Sequence, residues 1–187
     1  VIKVSAGIGA GMVTWNGELH RGADGAAGDI GHIRTGDHDD VACRCGQNGC
    51  LEAVASLRAV MAGLGLAVAT TEEFRASMAV LKERIAVGDP ETLRALWTAS
   101  QAIGNVAASI IQLFNPRTLV LGGPLSSAAD ELLSGVRAAV YGRAVPLTTR
   151  HLTLTTSQLG VDAGIRGGIA LALKEVWSPE GMLRILQ

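Results

Sequence analysis

The first third of the chain alternates short apolar runs with glycine-rich turns, which is typical of β-strands joined by tight connections. Val1–Val4 and Met12–Trp15 predict two strands, and Glu18–Arg21 predicts a third. Asn16-Gly17, between the last two, is the two-residue signal of a hairpin turn. Gly22–Gly31 contains four glycines, so we expect a shaped loop there rather than a regular element.

From residue 50 onwards, apolar positions recur at helical spacing. Thr71-Glu72-Glu73 resembles a helix N-terminus and precedes an amphipathic run to Ala86. Asp89-Pro90-Glu91 is a stronger start, and the long apolar helix that follows is expected to end at Asn115-Pro116. The predicted helices cover residues 50–61, 71–86, 90–114, 132–141 and 163–176, the last of them capped by Asp162.

Two further strands are predicted in the second half of the chain. Thr118–Leu121 is a continuous apolar run that leads into Gly122-Gly123-Pro124, and residues 151–155 alternate leucine with threonine. The order is three strands, several helices, then strand, helix, strand and helix. It predicts an α/β fold with a mixed sheet and helices on its faces. We expect one main domain with a helical insertion near residues 32–87.

Composition narrows the possible functions. The chain is 48% hydrophobic and 18% charged, with a net charge of −1, as in an ordinary globular protein. The near-neutral charge and the 3% aromatic content argue against direct contact with nucleic acid from this segment. No apolar run reaches the roughly 18 residues of a membrane span, so no membrane partner is expected.

All three cysteines lie within eight residues, at Cys43, Cys45 and Cys50. An odd, tightly spaced cluster indicates metal binding in a reducing compartment, and we therefore expect a cytoplasmic protein. The glycines at 46 and 49 would let the backbone fold so that the thiols reach one ion. With a histidine, either His32 or His38, the set becomes Cys3His, a recognised structural zinc shell without a free position for a catalytic water.

Two segments resemble the paired motifs of the ROK family, which contains bacterial sugar kinases and sugar-responsive transcriptional repressors. They are Gly25-Ala26-Ala27-Gly28-Asp29-Ile30-Gly31-His32 and Cys43-x-Cys45-Gly46-x-x-Gly49-Cys50-Leu51-Glu52. Three further stretches extend the resemblance, the first two to the family's phosphate-side hairpin and the third to its second nucleotide-side segment. They are Gly7-Ile8-Gly9-Ala10-Gly11, Asn16-Gly17-Glu18-Leu19 with Arg21-Gly22, and Asn115-Pro116 leading to Leu119-Val120-Leu121-Gly122-Gly123. The resemblance covers essentially the whole chain.

The resemblance implies that residues 1–187 form the C-terminal lobe of an actin-like, ribonuclease H-like fold, with a zinc-bearing insertion at about 32–87. The N-terminal lobe and any DNA-binding module are expected to be absent from this segment. The resemblance also favours His32 over His38 as the fourth zinc ligand. It implies a sugar pocket formed by Asp29, His32 and Glu52, in which one ring nitrogen of His32 holds zinc and the other faces the sugar.

The glycines at 7, 9, 11, 122 and 123 have two possible roles: they could contact the phosphates of ATP through backbone N–H groups, or only allow tight strand connections. ROK kinases usually carry Gly-Thr where this chain has Ser5-Ala6, and Glu where it has Asp29. Both departures resemble the regulators of the family more than its kinases.

Three hypotheses follow. The first is the effector-sensing part of a ROK transcriptional regulator that binds a sugar or sugar phosphate. The second is the C-terminal half of a ROK sugar kinase that uses ATP, and the third is a zinc-stabilised remnant without a ligand of its own. In the family's layout, the last helix, residues 163–176, would pack on the absent N-terminal lobe. In this segment we therefore expect it to expose an apolar face or to self-associate, and we expect a homo-oligomer.

Overall fold

The structure is a computed structural model that describes residues 1–36, 38–124 and 130–185. Its strands are β1 (Ile2–Val4), β2 (Ile8–Ala10), β3 (Met12–Val13), β4 (Leu19–His20), β5 (Thr118–Gly122) and β6 (Thr153–Thr156). Its α-helices are α1 (Leu51–Ala55), α2 (Leu57–Gly63), α3 (Thr71–Ala86), α4 (Pro90–Phe114), α5 (Asp130–Arg143), α6 (Pro146–Thr149), α7 (Ala163–Val176) and α8 (Pro179–Ile185). Two single 3-10 turns cover Ile30–His32 and Gly160–Asp162.

Four strands form one mixed sheet in the order β2-β1-β5-β6. β1 is antiparallel to β2 and parallel to β5, which in turn is parallel to β6. Alternate residues of β1 and β5, such as Val4 and Leu121, are buried in the core, as the two-residue period of a strand requires. β3 and β4 form a separate hairpin around Asn16-Gly17. The predicted mixed sheet with helices is therefore confirmed.

The central helix of the core is α4, and both of its ends lie where the sequence predicts them. The carboxylate of Asp89 accepts the backbone N–H of Thr92 at 2.8 Å, and Asn115 ends the helix in the left-handed conformation. α4 packs closely against α5 because Gly104 leaves room, since a Cβ there would lie 2.5 Å from the Cβ of Ala139. The packing of α4 against α5 is therefore an important part of the hydrophobic core.

The glycine-rich stretch at residues 7–11 contains a strand that the sequence pattern did not predict. β2 pairs with β1 from Val4 opposite Ile8 to Ile2 opposite Ala10. Ile8 is buried, and the Ala10 N–H donates to the carbonyl of Gly28 at 2.7 Å. Because most of the stretch is glycine and alanine, it shows no apolar period, and the strand depends on partners elsewhere in the chain.

The helix expected at residues 50–61 is two helices, because Ser56 is extended between α1 and α2. The interruption frees the backbone N–H of Leu57, which donates to the carbonyl of Ser5 at 2.9 Å. The Ser56 hydroxyl also accepts the N–H of Ala59 and so caps α2. The single-helix prediction was wrong because this break depends on a tertiary contact with the strand end at Ser5.

Two helix caps also differ from the prediction. Thr70 rather than Thr71 caps α3, through a reciprocal capping box with Glu73. Asp162 stands before α7 as predicted, but its side chain makes no capping hydrogen bond. Both helices nevertheless cover the predicted ranges.

The helix α7 presents apolar side chains to solvent. Ile165, Ile169, Leu173 and Val176 recur at the spacing of one helical face, and all four are exposed. The exposed apolar face expected for this helix is therefore present. Within the described residues, no helix combines the length and the apolar character needed to span a bilayer.

We predict that Gly123→Ala destabilises the fold whereas Gly122→Ala is tolerated. A Cβ at Gly123 would overlap the carbonyl oxygen of Val4, but a Cβ at Gly122 would meet no atom closer than 3.7 Å. Overpacking costs about 1–3 kcal/mol, so urea unfolding should show a loss of that size for Gly123→Ala. The Gly122→Ala change should stay within about 0.5 kcal/mol. Equal stabilities would contradict the close packing of this turn on β1.

Candidate metal centre

The segment that carries the cysteines, residues 43–50, is a tight turn that we call the metal loop. The N–H of Cys43 donates to the carbonyl of Gln47 at 2.8 Å, and the N–H of Gly46 donates back to the carbonyl of Cys43 at 3.0 Å. Gly46 and Gly49 have φ angles of 88° and 71°, a left-handed conformation that side chains other than glycine rarely adopt. The turn brings Cys43 and Cys45 back beside Cys50, which immediately precedes α1.

The structure brings four metal-ligating side chains together in one place. Their ligand atoms all lie within 4.8 Å of one another, and the residues are His32, Cys43, Cys45 and Cys50, which we call the Cys3His group. The Nδ1 atom of His32 is 3.6 Å from the sulfur of Cys43, and the sulfurs of Cys45 and Cys50 are 3.6 Å apart. His38, the rival ligand, is not a member of this group.

Two of these separations match those of a tetrahedral ion, and the remaining ligand atoms lie within 4.8 Å of one another. Bonds of about 2.3 Å to sulfur and 2.0 Å to nitrogen place tetrahedral ligand atoms roughly 3.5–3.8 Å apart. The two measured separations of 3.6 Å lie in that range. All three cysteines are free thiols, so none is held in a disulfide. The Cys3His group could therefore hold one metal ion with little rearrangement.

The thiols differ in acidity because they differ in environment. Cys45 is exposed, and a hydrogen bond from the backbone N–H of Gln47 to its sulfur lowers its pKa. Cys50 is buried, and that burial, with the neighbouring thiols of Cys45 and Cys43, raises its pKa to about 12. A cation at the centre of the group would replace these protons, so metal binding is expected to release protons and to weaken as the pH falls.

His32 has its two ring nitrogens directed to different neighbours. It ends the 3-10 turn Ile30–His32, whose first two residues are buried and fix the backbone. Nδ1 faces the sulfur of Cys43, whereas Nε2 lies 4.0 Å from the carboxylate of Asp29. Asp29 is exposed and makes no capping hydrogen bond to the turn. Metal ligation through Nδ1 would therefore leave Nε2 and the Asp29 carboxylate side by side.

Glu52, in the first turn of α1, lies against the same segment but has partners of its own. One carboxylate oxygen accepts the backbone N–H of Ile8 at 3.1 Å, and the other is 2.7 Å from the guanidinium of Arg44. The side chain is only 13% exposed. A Cβ at Gly31 would lie 3.4 Å from this carboxylate, so the chain just before His32 passes directly beside it.

A cleft of about 300 Å³ opens beside Glu52 and Arg44, and Ala6 and Ser56 also line it. Asp29 and His32 are not among its lining residues. Of the three predicted sugar contacts, Asp29 and His32 are thus neighbours, whereas Glu52 lines the cleft. No sequence pattern predicted that Arg44 would pair with Glu52, because the pairing depends on how the metal loop folds.

The five glycines predicted on the phosphate side fall into two places. Gly7 lies against the Glu52 carboxylate, Gly9 belongs to β2, and Gly11 follows it. Gly122 ends β5, and Gly123 packs on the carbonyl of Val4 at the end of the parallel neighbour β1. Ligands of open α/β sheets bind at such carboxyl ends of adjacent parallel strands.

Comparison with known proteins gives one family. The sequence profile of the ROK family matches residues 1–175. A putative xylose repressor from a Caldicellulosiruptor species is 32% identical over an alignment that covers 94% of this chain and 46% of the repressor. A glucokinase from Halalkalibacterium halodurans is 31% identical over 90% of this chain and 54% of the kinase. The chain thus spans about half the length of the curated relatives it matches.

A solved structure of a ROK family member has a similar fold. The crystal structure of a ROK family glucokinase from Streptomyces griseus, in complex with glucose and AMPPNP, superposes with a TM-score of 0.72 and 27% sequence identity. The match covers 91% of this chain and 58% of the glucokinase.

Proposed function

The chain belongs to the ROK family, and on that premise we propose that it is the sugar-sensing, effector-binding part of a transcriptional regulator. We propose further that a structural zinc ion organises its sugar site. The observation that carries the proposal is the position of His32, whose ring joins the Cys3His group to the exposed carboxylate of Asp29.

Zinc is the ion that the donor set favours. Three thiolates and one imidazole are its preferred soft and borderline ligands, and four of them close the tetrahedral shell. A closed shell has no position for a water nucleophile, so the ion would stabilise the metal loop and orient His32 without taking part in a reaction. Thiolate ligands also suit the reducing conditions of the cytoplasm, which is where we place the protein.

The sugar would bind through hydrogen bonds from its ring hydroxyls to Asp29, His32 and Glu52. With Nδ1 on the metal, Nε2 of His32 is fixed as the N–H donor, and the adjacent Asp29 carboxylate is an acceptor. Each oxygen of Glu52 already has one partner, but a carboxylate oxygen has a further lone pair for a hydroxyl. The arrangement binds a polyol without proton transfer, as a sensor requires.

A regulator is favoured over a kinase by two departures from the kinase pattern. Ala6, at the position where ROK kinases usually carry threonine, lines the cleft beside Glu52 and offers no hydroxyl to a phosphate. Asp29, in place of the usual glutamate, is one methylene shorter. In a regulator, the sugar would act by binding one of two conformations more tightly, which shifts their populations and so changes DNA binding by another part of the protein.

The alternative is the C-terminal half of an ATP-dependent sugar kinase. It is supported by the glucokinase relative and by Gly122 and Gly123, which lie at the end of β5 beside the end of its parallel neighbour β1. In that case the backbone near Gly7, Gly9 and Gly11 and near Gly122 and Gly123 would contact the phosphates of ATP.

We predict that the zinc-loaded protein binds glucose or xylose and that Asp29→Asn weakens binding about tenfold, because a hydrogen bond to a charged group contributes about 1.5–3 kcal/mol. Asp24→Asn is the matched control, since Asp24 is an exposed carboxylate on the same glycine-rich loop. Isothermal titration calorimetry measures both affinities. Binding that is absent, or equal for the two variants, would contradict the proposed site. ATP-dependent phosphorylation of glucose in a coupled assay would contradict the regulator proposal and support the kinase alternative.

We also propose that residues 1–187 act as one lobe of a larger actin-like protein, and that α7 contributes to a homo-oligomer. The exposed row of Ile165, Ile169, Leu173 and Val176 supports this, because a helix face of this kind is normally covered. Sedimentation velocity should show the 19.3 kDa chain self-associating, and Ile169→Glu should reduce the association. Leu147→Glu, at an exposed leucine outside α7, is the control. A chain that stays monomeric at all concentrations would contradict the oligomer.

A further inference from the structure

We propose that Arg44 is a positioning residue that couples metal occupancy to the carboxylate of Glu52. Arg44 lies between two members of the Cys3His group, Cys43 and Cys45, and its guanidinium reaches the Glu52 carboxylate at 2.7 Å. The inference rests on the metal binding proposed above and adds a route by which the metal affects the sugar site.

Glu52 is held by two contacts that come from different parts of the chain. The N–H of Ile8, at the start of β2, donates to one oxygen, and Arg44 in the metal loop pairs with the other. Gly7 leaves space for the carboxylate, because a Cβ there would overlap its oxygen. Glu52 thus connects the metal loop to the glycine-rich segment that begins β2.

A bound metal ion strengthens the ion pair between Arg44 and Glu52. Its side chain is 75% exposed, and an exposed arginine contributes little to an ion pair when its long side chain must first be ordered. The backbone at residue 44 lies between two metal ligands, so a bound ion would hold the Cα atom of Arg44 in place. The entropic cost of ordering the arginine side chain is then lower. Glu52, which is mostly buried, then keeps its charge-assisted contact and its hydrogen bond to Ile8.

A second ion pair on the same part of the chain provides the comparison. Arg34 pairs with Asp39 at 2.7 Å, and both side chains are more than half exposed. That pair has no contact with Glu52 or Ile8 among the hydrogen bonds and ion pairs of the described residues. Its loss should therefore leave β2 unaffected, although it removes the same guanidinium from the same region.

The test is the amide hydrogen exchange rate of Ile8, measured by NMR, because this N–H donates to Glu52. In the zinc-loaded chain, Arg44→Gln should raise the exchange rate of Ile8 about fivefold to tenfold, and Arg44→Lys should give a smaller rise because lysine keeps the charge. Arg34→Gln should cause no change. Each variant is assayed for one zinc per chain, so that loss of metal is distinguished from loss of the ion pair.

The same measurement after chelation tests the coupling itself. Removing zinc from the wild-type chain should raise Ile8 exchange to the level of Arg44→Gln, and Arg44→Gln should then add nothing further. An unchanged Ile8 rate in zinc-loaded Arg44→Gln, or an equal effect of Arg44→Gln with and without zinc, overturns the coupling and leaves the metal and sugar proposals standing. A chain that binds no zinc overturns the metal site and the coupling together.

Discussion

The convergence of four ligand atoms within 4.8 Å is the constraint on which the arrangement of the candidate site depends. His32 is the last residue of a 3-10 turn whose first two residues are buried, and the three cysteines lie in the metal loop, which leads directly into α1. Without a shared ion, three thiols and an imidazole gain little from being so close, and burial already disfavours ionisation of Cys50. A bound cation would stabilise this cluster and would hold both the turn before α1 and the ring of His32 in place.

A few polar contacts connect the Cys3His group and α1 to the rest of the candidate site. His32 connects the metal centre to Asp29, and Glu52 connects α1 to the N–H of Ile8 in β2. The glycines near these contacts have a spatial role: Gly7 lets the backbone approach the Glu52 carboxylate, and Gly31 lets it approach the carbonyl of Ile8. Direct contacts therefore connect the Cys3His group, the predicted sugar-binding residues Asp29 and Glu52, and the short strand β2.

Local signals in the sequence predicted the elements that depend on local chemistry. Asp89 followed by Pro90 predicts the start of α4, and the clustered cysteines with flanking glycines predict the three thiols of the Cys3His group. The fourth member, His32, followed only from the family resemblance. The strand β2 and the break at Ser56 could not be predicted in this way, because each depends on a backbone partner distant in sequence, Gly28 for Ala10 and Ser5 for Leu57. The Arg44–Glu52 pair belongs to the same class, since it forms only when the metal loop has folded against α1.

X-ray absorption spectroscopy at the zinc edge tests the central claim, the existence of a Cys3His zinc centre, most directly. The predicted spectrum of the zinc-loaded chain has three sulfur ligands at about 2.3 Å and one nitrogen ligand at about 2.0 Å. His32→Ala should replace the nitrogen ligand or lose the metal, whereas His38→Ala should leave the spectrum unchanged. A shell dominated by oxygen, fewer than three sulfur ligands, or a nitrogen ligand lost in His38→Ala would contradict the account.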